Sequence, residues 1–401
     1  MSEELCALLS DFSPLEELPA DPTNAYADDP GAAELGQMFF FDPDFSGPLA
    51  TNSDLGQAGE AGKVACVSCH SSSMMSDSRS PNSANVSLGA NFHTRNAPGL
   101  VNSAFYRWTN WGGRFSRPWE LPMPVTESGV IMNSSRLQVA HVIYDKYADD
   151  YDAVFGAEFG PLSDVIATLP AAGKPSQPDW DDLDPAHKDL VTRIFVNYGK
   201  SLAAYTRLLI SRNSRFDRFA AGDYELFTDS EVRGFEVFVG PGRCAACHDG
   251  THFSDDRFHN IGVAQSGPNT PGVDNGRIGD LPGLLSSMLN ASGAFSDDPE
   301  FGASLLEGLD ASNEAQRGVF RTPALRGVAE TAPYMHAGQL ASLEDVVEFY
   351  DRGGDIPSAG TKSPAIVPLG LTPAQKADLV AFLKSLTGEP VPPDLLEDTS
   401  Y

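Results

Sequence analysis

The sequence predicts a mostly α-helical protein made of two related halves joined by long loops. Three observations predict it. Apolar residues recur at helical spacing, strand-like alternation is scarce, and one set of short segments occurs twice along the chain. The clearest helical face lies within 186–212, on Leu190, Ile194, Tyr198, Leu202 and Tyr205. Thr228 with Glu231 forms a capping box that opens a helix toward Val239. Ser342 can cap a helix carrying Leu343, Val346, Val347 and Tyr350. Thr372-Pro373 starts another, with Leu379, Phe382, Leu383 and Leu386 on one side. The repeat pairs Gly36-Gln37-Met38-Phe39-Phe40 with Gly234-Phe235-Glu236-Val237-Phe238. It also pairs Ser76-Asp77-Ser78-Arg79 with Ser254-Asp255-Asp256-Arg257, and Arg95-Asn96-Ala97-Pro98 with Arg321-Thr322-Pro323-Ala324.

Length and composition bound the reading. A chain of 401 residues suggests two domains, and 41% hydrophobic residues suffice for real cores. The formal charge of −28 repels phosphate backbones and excludes a nucleic-acid partner. No apolar run approaches the ~18–20 residues of a membrane span, so no transmembrane segment is expected. The acidic start Met1-Ser2-Glu3-Glu4 shows no signal peptide. The 37 glycines and 30 prolines suit long, specified loops. The expected division is an N-terminal extension over 1–32, a first domain over 33–165 and a Pro/Gly/Asp-rich linker over 166–186. A second domain follows over 187–388, and the tail 389–401 reads as frayed.

Four of the five cysteines fall in two copies of one motif, Cys66-Val67-Ser68-Cys69-His70 and Cys244-Ala245-Ala246-Cys247-His248. C-x-x-C-H is the attachment signature of a c-type haem. Two thiols so spaced can each add to a vinyl group of one porphyrin, and the adjacent histidine then supplies a nitrogen to iron. A redox dithiol or half a zinc site uses a similar spacing, but two copies favour haem. A zinc ribbon would set its pairs ~15–20 residues apart, whereas these motifs lie nearly half the chain apart. Each half therefore reads as a cytochrome c-like domain around its own covalent haem. Such attachment takes place outside the cytoplasm, so a periplasmic or exported protein is expected. Cys6 is left over; lipid anchoring through it stays open beside a stray thiol.

The two motifs, in order with Arg95-Asn96-Ala97-Pro98, Trp111-Gly112-Gly113-Arg114, Phe258-His259-Asn260-Ile261-Gly262 and Thr331-Ala332-Pro333-Tyr334-Met335-His336-Ala337-Gly338, resemble the bacterial di-haem cytochrome c peroxidase family. That family includes MauG- and MbnH-type enzymes, which oxidise residues of partner proteins. The resemblance covers roughly residues 33 to 388. It implies that the haem on His70 is the one that meets hydrogen peroxide and that the haem on His248 relays electrons. It implies Trp111 as the bridge between them. It also implies a calcium ion between the domains, held by Asn96 and by the backbone carbonyls of Thr331 and Pro333.

The resemblance also directs attention to the sixth ligand of the second haem. The position fourteen residues after His336 is Tyr350, where plain peroxidases of the family have methionine and MauG-type members have tyrosine. Met335 is the rival ligand. A thioether favours Fe(II) and a high potential, whereas a phenolate is a hard anion that favours Fe(III). Around the first haem, Ala90 stands where a distal histidine is usual, so that iron reads as five-coordinate, with His93 as an alternative ligand. Leu121 and Ile131 fall at the usual positions of the proton-moving Gln and Glu, and Glu127, the nearest carboxylate, is the candidate substitute. An iron without such an acid loses ~10²–10⁴-fold in O–O cleavage. His259 and His336 are expected to contact propionates or to pack; His252 receives no role.

The expected function is oxidation of a partner protein with hydrogen peroxide. The alternatives are peroxide reduction with electrons from a small redox protein, and a non-catalytic electron-transfer or haem-sensing cytochrome. A homodimer stays open.

Overall fold

The computed structural model describes residues 3–77 and 86–401, with side chains from residue 7 onward. Ser78 and Arg79 of the repeated tetrapeptide, and the side chain of Cys6, lie outside the described residues. The architecture is mostly helical, as predicted. Among the described residues, the strands form one antiparallel pair, β1 (Phe258–His259) with β2 (Phe320–Arg321).

Six helices carry the frame: α1 (Glu3–Phe12), α2 (Pro30–Phe41), α3 (Pro185–Arg207), α4 (Asp229–Val239), α5 (Leu343–Asp351) and α6 (Pro373–Ser385). Their starts follow local chemistry. Asp29 caps α2 by accepting the Ala32 N–H at 2.8 Å, with Pro30 at the first helical position. Asp184 and Pro185 do the same for α3. The expected capping box forms at Thr228/Glu231, and the expected starts at Ser342 and Thr372 prove to be boxes as well, with Asp345 and Gln375.

The repeat becomes a repeated helix crossing. In the first half, α2 crosses α3, and Gly36 lies so close that a Cβ there would stand 2.0 Å from the Ser201 carbonyl oxygen. In the second half, α4 crosses α6, and a Cβ on Gly234 would stand 2.0 Å from the Asp378 carbonyl oxygen. These are corresponding glycines of the repeat, and both let two backbones touch. Each crossing has its own core. Phe39, Phe40, Phe45, Tyr147, Phe195 and Tyr198 fill the first, and Phe216, Phe235, Phe238, Phe253 and Phe382 fill the second.

This packing corrects the expected division. The helix given to the second domain from residue 187 is α3, and it buries Val191, Ile194, Phe195 and Leu202 in the first core. The chain therefore passes between the halves after Arg207, not at 166–186. The Pro/Gly signal of 166–186 marks a surface loop within the first half, with Ile166 and Trp180 still in its core. The tail is also not frayed. Val391 enters the first core, and the carbonyls of Asp394 and Glu397 accept from the Gln37 side chain at 2.7 and 3.0 Å. At the other end, α1 sets Leu9 and Phe12 into the second core, with Phe12 stacked on Phe253 at 5.2 Å. The two termini thus pack on opposite halves from those that sequence order suggests. Among the described residues, no helix is long and apolar enough to cross a membrane.

Candidate haem sites

Both C-x-x-C-H motifs fold alike. Cys66–Ser68 and Cys244–Ala246 form single 3-10 turns. The His70 N–H donates to the Cys66 carbonyl at 3.1 Å, and the His248 N–H donates to the Cys244 carbonyl at 2.9 Å. Each turn brings its histidine beside its two cysteines. Each imidazole then uses Nδ1 on a carbonyl five residues on: His70 on Met75 at 2.7 Å, His248 on Phe253 at 3.0 Å. Met75 and Phe253 both have left-handed backbone, at φ 53° and 55°. That is uncommon for such side chains, and here it turns the carbonyl back onto the ring. With Nδ1–H donating, Nε2 is the nitrogen left to ligate a metal.

The donor set fits a c-type haem. Cys66, Cys69, Cys244 and Cys247 form no disulfide. Burial pushes the Cys66 and Cys244 thiols up to about 12, the reverse of a reactive redox dithiol, whose thiol pKa is lowered. Burial also lowers the pKa of His248, which keeps its imidazole neutral. Beside it opens a cavity of about 250 Å³, lined by Cys244, Cys247, His248, Met335, Tyr350 and Trp111 among others.

Tyr350 on α5 thus reaches the same cavity as His248. Its phenol forms no hydrogen bond among the described residues, and burial holds its pKa well above the ordinary value. Met335, at φ 71°, lines the cavity as well. Trp111 is fastened to both halves: its Nε1–H donates to the Asn96 carbonyl at 2.7 Å, and its own carbonyl accepts the Arg321 N–H at 2.8 Å. Asn96, Thr331 and Pro333 also line this cavity. The Asn96 N–H donates to the His336 carbonyl at 2.8 Å, joining the halves again. The carbonyls of Thr331 and Pro333 accept no hydrogen bond among the described residues.

The residues expected beside the first haem have protein partners. The Ala90 N–H donates to the Ile131 carbonyl at 2.7 Å, so two of the three substituted positions lie together. Glu127 does not offer a free acid. Its carboxylate is forked onto Arg136 at 2.9 and 3.0 Å, and it also accepts the Arg136 N–H. His93 turns Nδ1 onto the backbone N–H of Arg95 at 3.1 Å. His259 pairs with Asp255 at 2.8 Å. His336 stacks on Phe320 at 3.9 Å and accepts from Gln265 at 2.7 Å, its pKa held down to about 4 by burial.

Sequence reasoning missed one part of this centre. Buried Arg95 makes a bidentate bond to Asp274 at 2.8 and 2.7 Å and a further bond to Asp280 at 2.7 Å. This clamp fixes the residue beside Asn96 across the two halves. Only the position of Arg95 before Asn96 hinted at it; nothing in the sequence pairs it with carboxylates so far along the chain.

Comparison with known proteins decides the family. A relative from Denitromonas iodatirespirans, cytochrome-c peroxidase IdrP2, is 32% identical over 94% of this chain and 86% of its own. The chain belongs to the di-haem cytochrome c peroxidase family. The family model of that description matches residues 30–225. Methylamine utilization protein MauG of Methylorubrum extorquens is 29% identical over 97% of this chain and 86% of its own. Two solved structures share the fold. A MauG-like protein associated with microbial copper homeostasis has a TM-score of 0.64 at 24% identity, covering 96% of this chain and 98% of that one. The diheme peroxidase BthA from Burkholderia thailandensis has a TM-score of 0.63 at 23% identity, covering 92% and 89%. Members of the di-haem peroxidase family carry two c-type haems and act as oxidoreductases on peroxide with a redox partner.

Proposed function

We propose that this di-haem enzyme uses hydrogen peroxide to oxidise residues of a partner protein outside the cytoplasm. In this reading, Cys66, Cys69 and His70 would hold the peroxide-reactive haem, and Cys244, Cys247, His248 and Tyr350 would hold the relay haem. Haem bound there supplies one-electron and peroxide chemistry that no side chain offers. The residues do the rest. His248 presents Nε2 while Phe253 fixes its ring, Tyr350 lines the same cavity, and Trp111 stands between the halves as the electron bridge. Asn96 and the open carbonyls of Thr331 and Pro333 offer hard oxygen ligands that suit calcium. One observation carries the reading: Tyr350 lines the cavity that His248 and Trp111 share.

A specific observation favours each rival. Met335 lines the same cavity, which suits a plain cytochrome c peroxidase fed by a small redox protein. The engagement of Glu127 by Arg136 suits a cytochrome without fast peroxide chemistry. Ferric spectra of wild type, Tyr350→Phe and Met335→Leu separate them. The proposal expects Tyr350→Phe alone to change the relay haem. A sulfur-to-iron charge-transfer band that disappears in Met335→Leu would restore the plain peroxidase. Two low-spin irons indifferent to peroxide would leave only electron transfer.

A further inference from the structure

The cavity beside His248 contains a buried cation that the chain pairs only loosely. Arg321, on β2, is 4% exposed and lines that cavity. A guanidinium has five N–H donors. Here one of them reaches the Thr322 carbonyl at 3.3 Å, and Nε is buried without a partner among the described residues. The nearest carboxylate, Asp256, stands 3.9 Å away, too far for a hydrogen bond, and its own Oδ1 is likewise unpartnered. One face of the guanidinium is covered by the Tyr106 ring at 3.7 Å. A buried charge so poorly served is costly unless an anion with good hydrogen-bonding geometry completes it. The cavity is apolar apart from a few such groups, so the anion must arrive with whatever fills it.

We propose that Arg321 binds a propionate carboxylate of the haem attached at Cys244 and Cys247. This rests on the reading that a haem occupies the cavity. The carboxylate completes the donors that Thr322 leaves free, and Tyr106 holds the guanidinium plane in place. The backbone of Arg321 already anchors Trp111, so one residue ties the haem edge to the bridge. His259 and His336, expected to contact propionates or to pack, have protein partners in Asp255 and Gln265, and His336 packs on Phe320.

The test uses the haem-loaded protein with Arg321→Gln and Arg321→Lys. Intact mass reports porphyrin on each motif, spectroelectrochemistry gives both midpoint potentials, and resonance Raman gives the propionate-bending band of the relay haem. Removing the cation leaves the carboxylate unbalanced and favours Fe(III). Arg321→Gln is therefore expected to shift the relay haem about tenfold toward Fe(III), 59 mV for one electron. It should also move the propionate band and leave the first haem unchanged, and Arg321→Lys should recover most of the shift. Both porphyrins present with an unmoved band would overturn the contact, even if the potential changes through space. A wild-type potential that varies with added acetate would assign Arg321 to a free carboxylate and overturn the proposal as well. Missing porphyrin on Cys244 and Cys247 would overturn the haem assignment, and this inference with it.

Discussion

The two halves share their backbone devices and differ in their buried charges. Gly36 and Gly234 serve one kind of helix crossing, and Met75 and Phe253 hold their histidines by one kind of turn. The arginines of the repeat behave differently. Arg95 is saturated by Asp274 and Asp280, whereas among the described residues Arg321 has a carbonyl, an aromatic face and the Asp256 carboxylate at 3.9 Å. Repetition in this chain therefore preserves the means of gripping a haem, and the polar lining separates one site from the other.

The clamp is the contrast with the largest expected effect. Arg95→Ala leaves two carboxylates poorly paired at the junction, which should cost about 3–5 kcal/mol, as for other broken buried ion pairs. Denaturant unfolding measures it, and a loss below about 1 kcal/mol would mean the clamp adds little. The pH dependence has a definite sign. Burial by itself raises the Asp274 carboxyl, but the bonds and charge of Arg95 outweigh it and hold the group below its ordinary value. A depressed carboxyl contributes stability above its unfolded pKa, near 3.9. That contribution is lost as pH falls through the lower folded value. Arg95→Ala should remove this acid-side loss.

The glycine pair tests whether the halves are equivalent. Gly36→Ala and Gly234→Ala each place a methyl 2.0 Å from a backbone oxygen. Helix separation should cost each variant about 1–3 kcal/mol or more. Near-equal losses in thermal unfolding would support one shared crossing. A neutral Gly234→Ala beside a damaging Gly36→Ala would break the analogy.

Much of this was legible in the sequence, for physical reasons. C-x-x-C-H is a covalent requirement, and capping boxes are satisfied within a few residues, so both can be read locally. The segments around Gly36 and Gly234 could be matched because the crossing needs glycine with aromatic neighbours. What escaped depends on distance along the chain. The apolar face of α3 looks the same whichever core receives it, so the boundary near 166–186 was misplaced. The tail carries mostly polar and proline residues and holds on through backbone carbonyls, which have no signature. The pairing of Glu127 with Arg136 and that of Arg95 with Asp274 depend on loop paths rather than on spacing.

Glu120 supplies a smaller contrast, since it is a buried carboxyl with no ion-pair partner among the described residues. Burial pushes it up to about 7, although Ser116 and the Ala291 N–H donate to it. A raised carboxyl contributes stability that is fully present below its unfolded value and lost as pH rises through the folded one. This contribution should therefore fade between about pH 4.5 and pH 7. Glu120→Gln should flatten that window, a change of about 1–3 kcal/mol across it. A slope unchanged in Glu120→Gln would assign the pH dependence elsewhere.

The smallest effect concerns the crossed termini. The N-terminal helix contributes Phe12 to the second core, where it is 4% exposed. The C-terminal tail ends on the first half, where Tyr401 stacks on Tyr147 at 5.3 Å and donates to Asp150 at 2.9 Å. Tyr401 is 66% exposed, so its contact removes little surface from water. An aromatic pair of this kind is worth about 0.5–1.5 kcal/mol, and partial exposure sets the expectation for Tyr401→Ala at the low end. The carbonyl bonds from Asp394 and Glu397 to Gln37 would remain, so hydrogen exchange should rise only near residues 398–401. Release of the whole tail back to Val391 would show instead that Tyr401 anchors the segment, and that the two ends of the chain clasp their opposite halves with comparable strength.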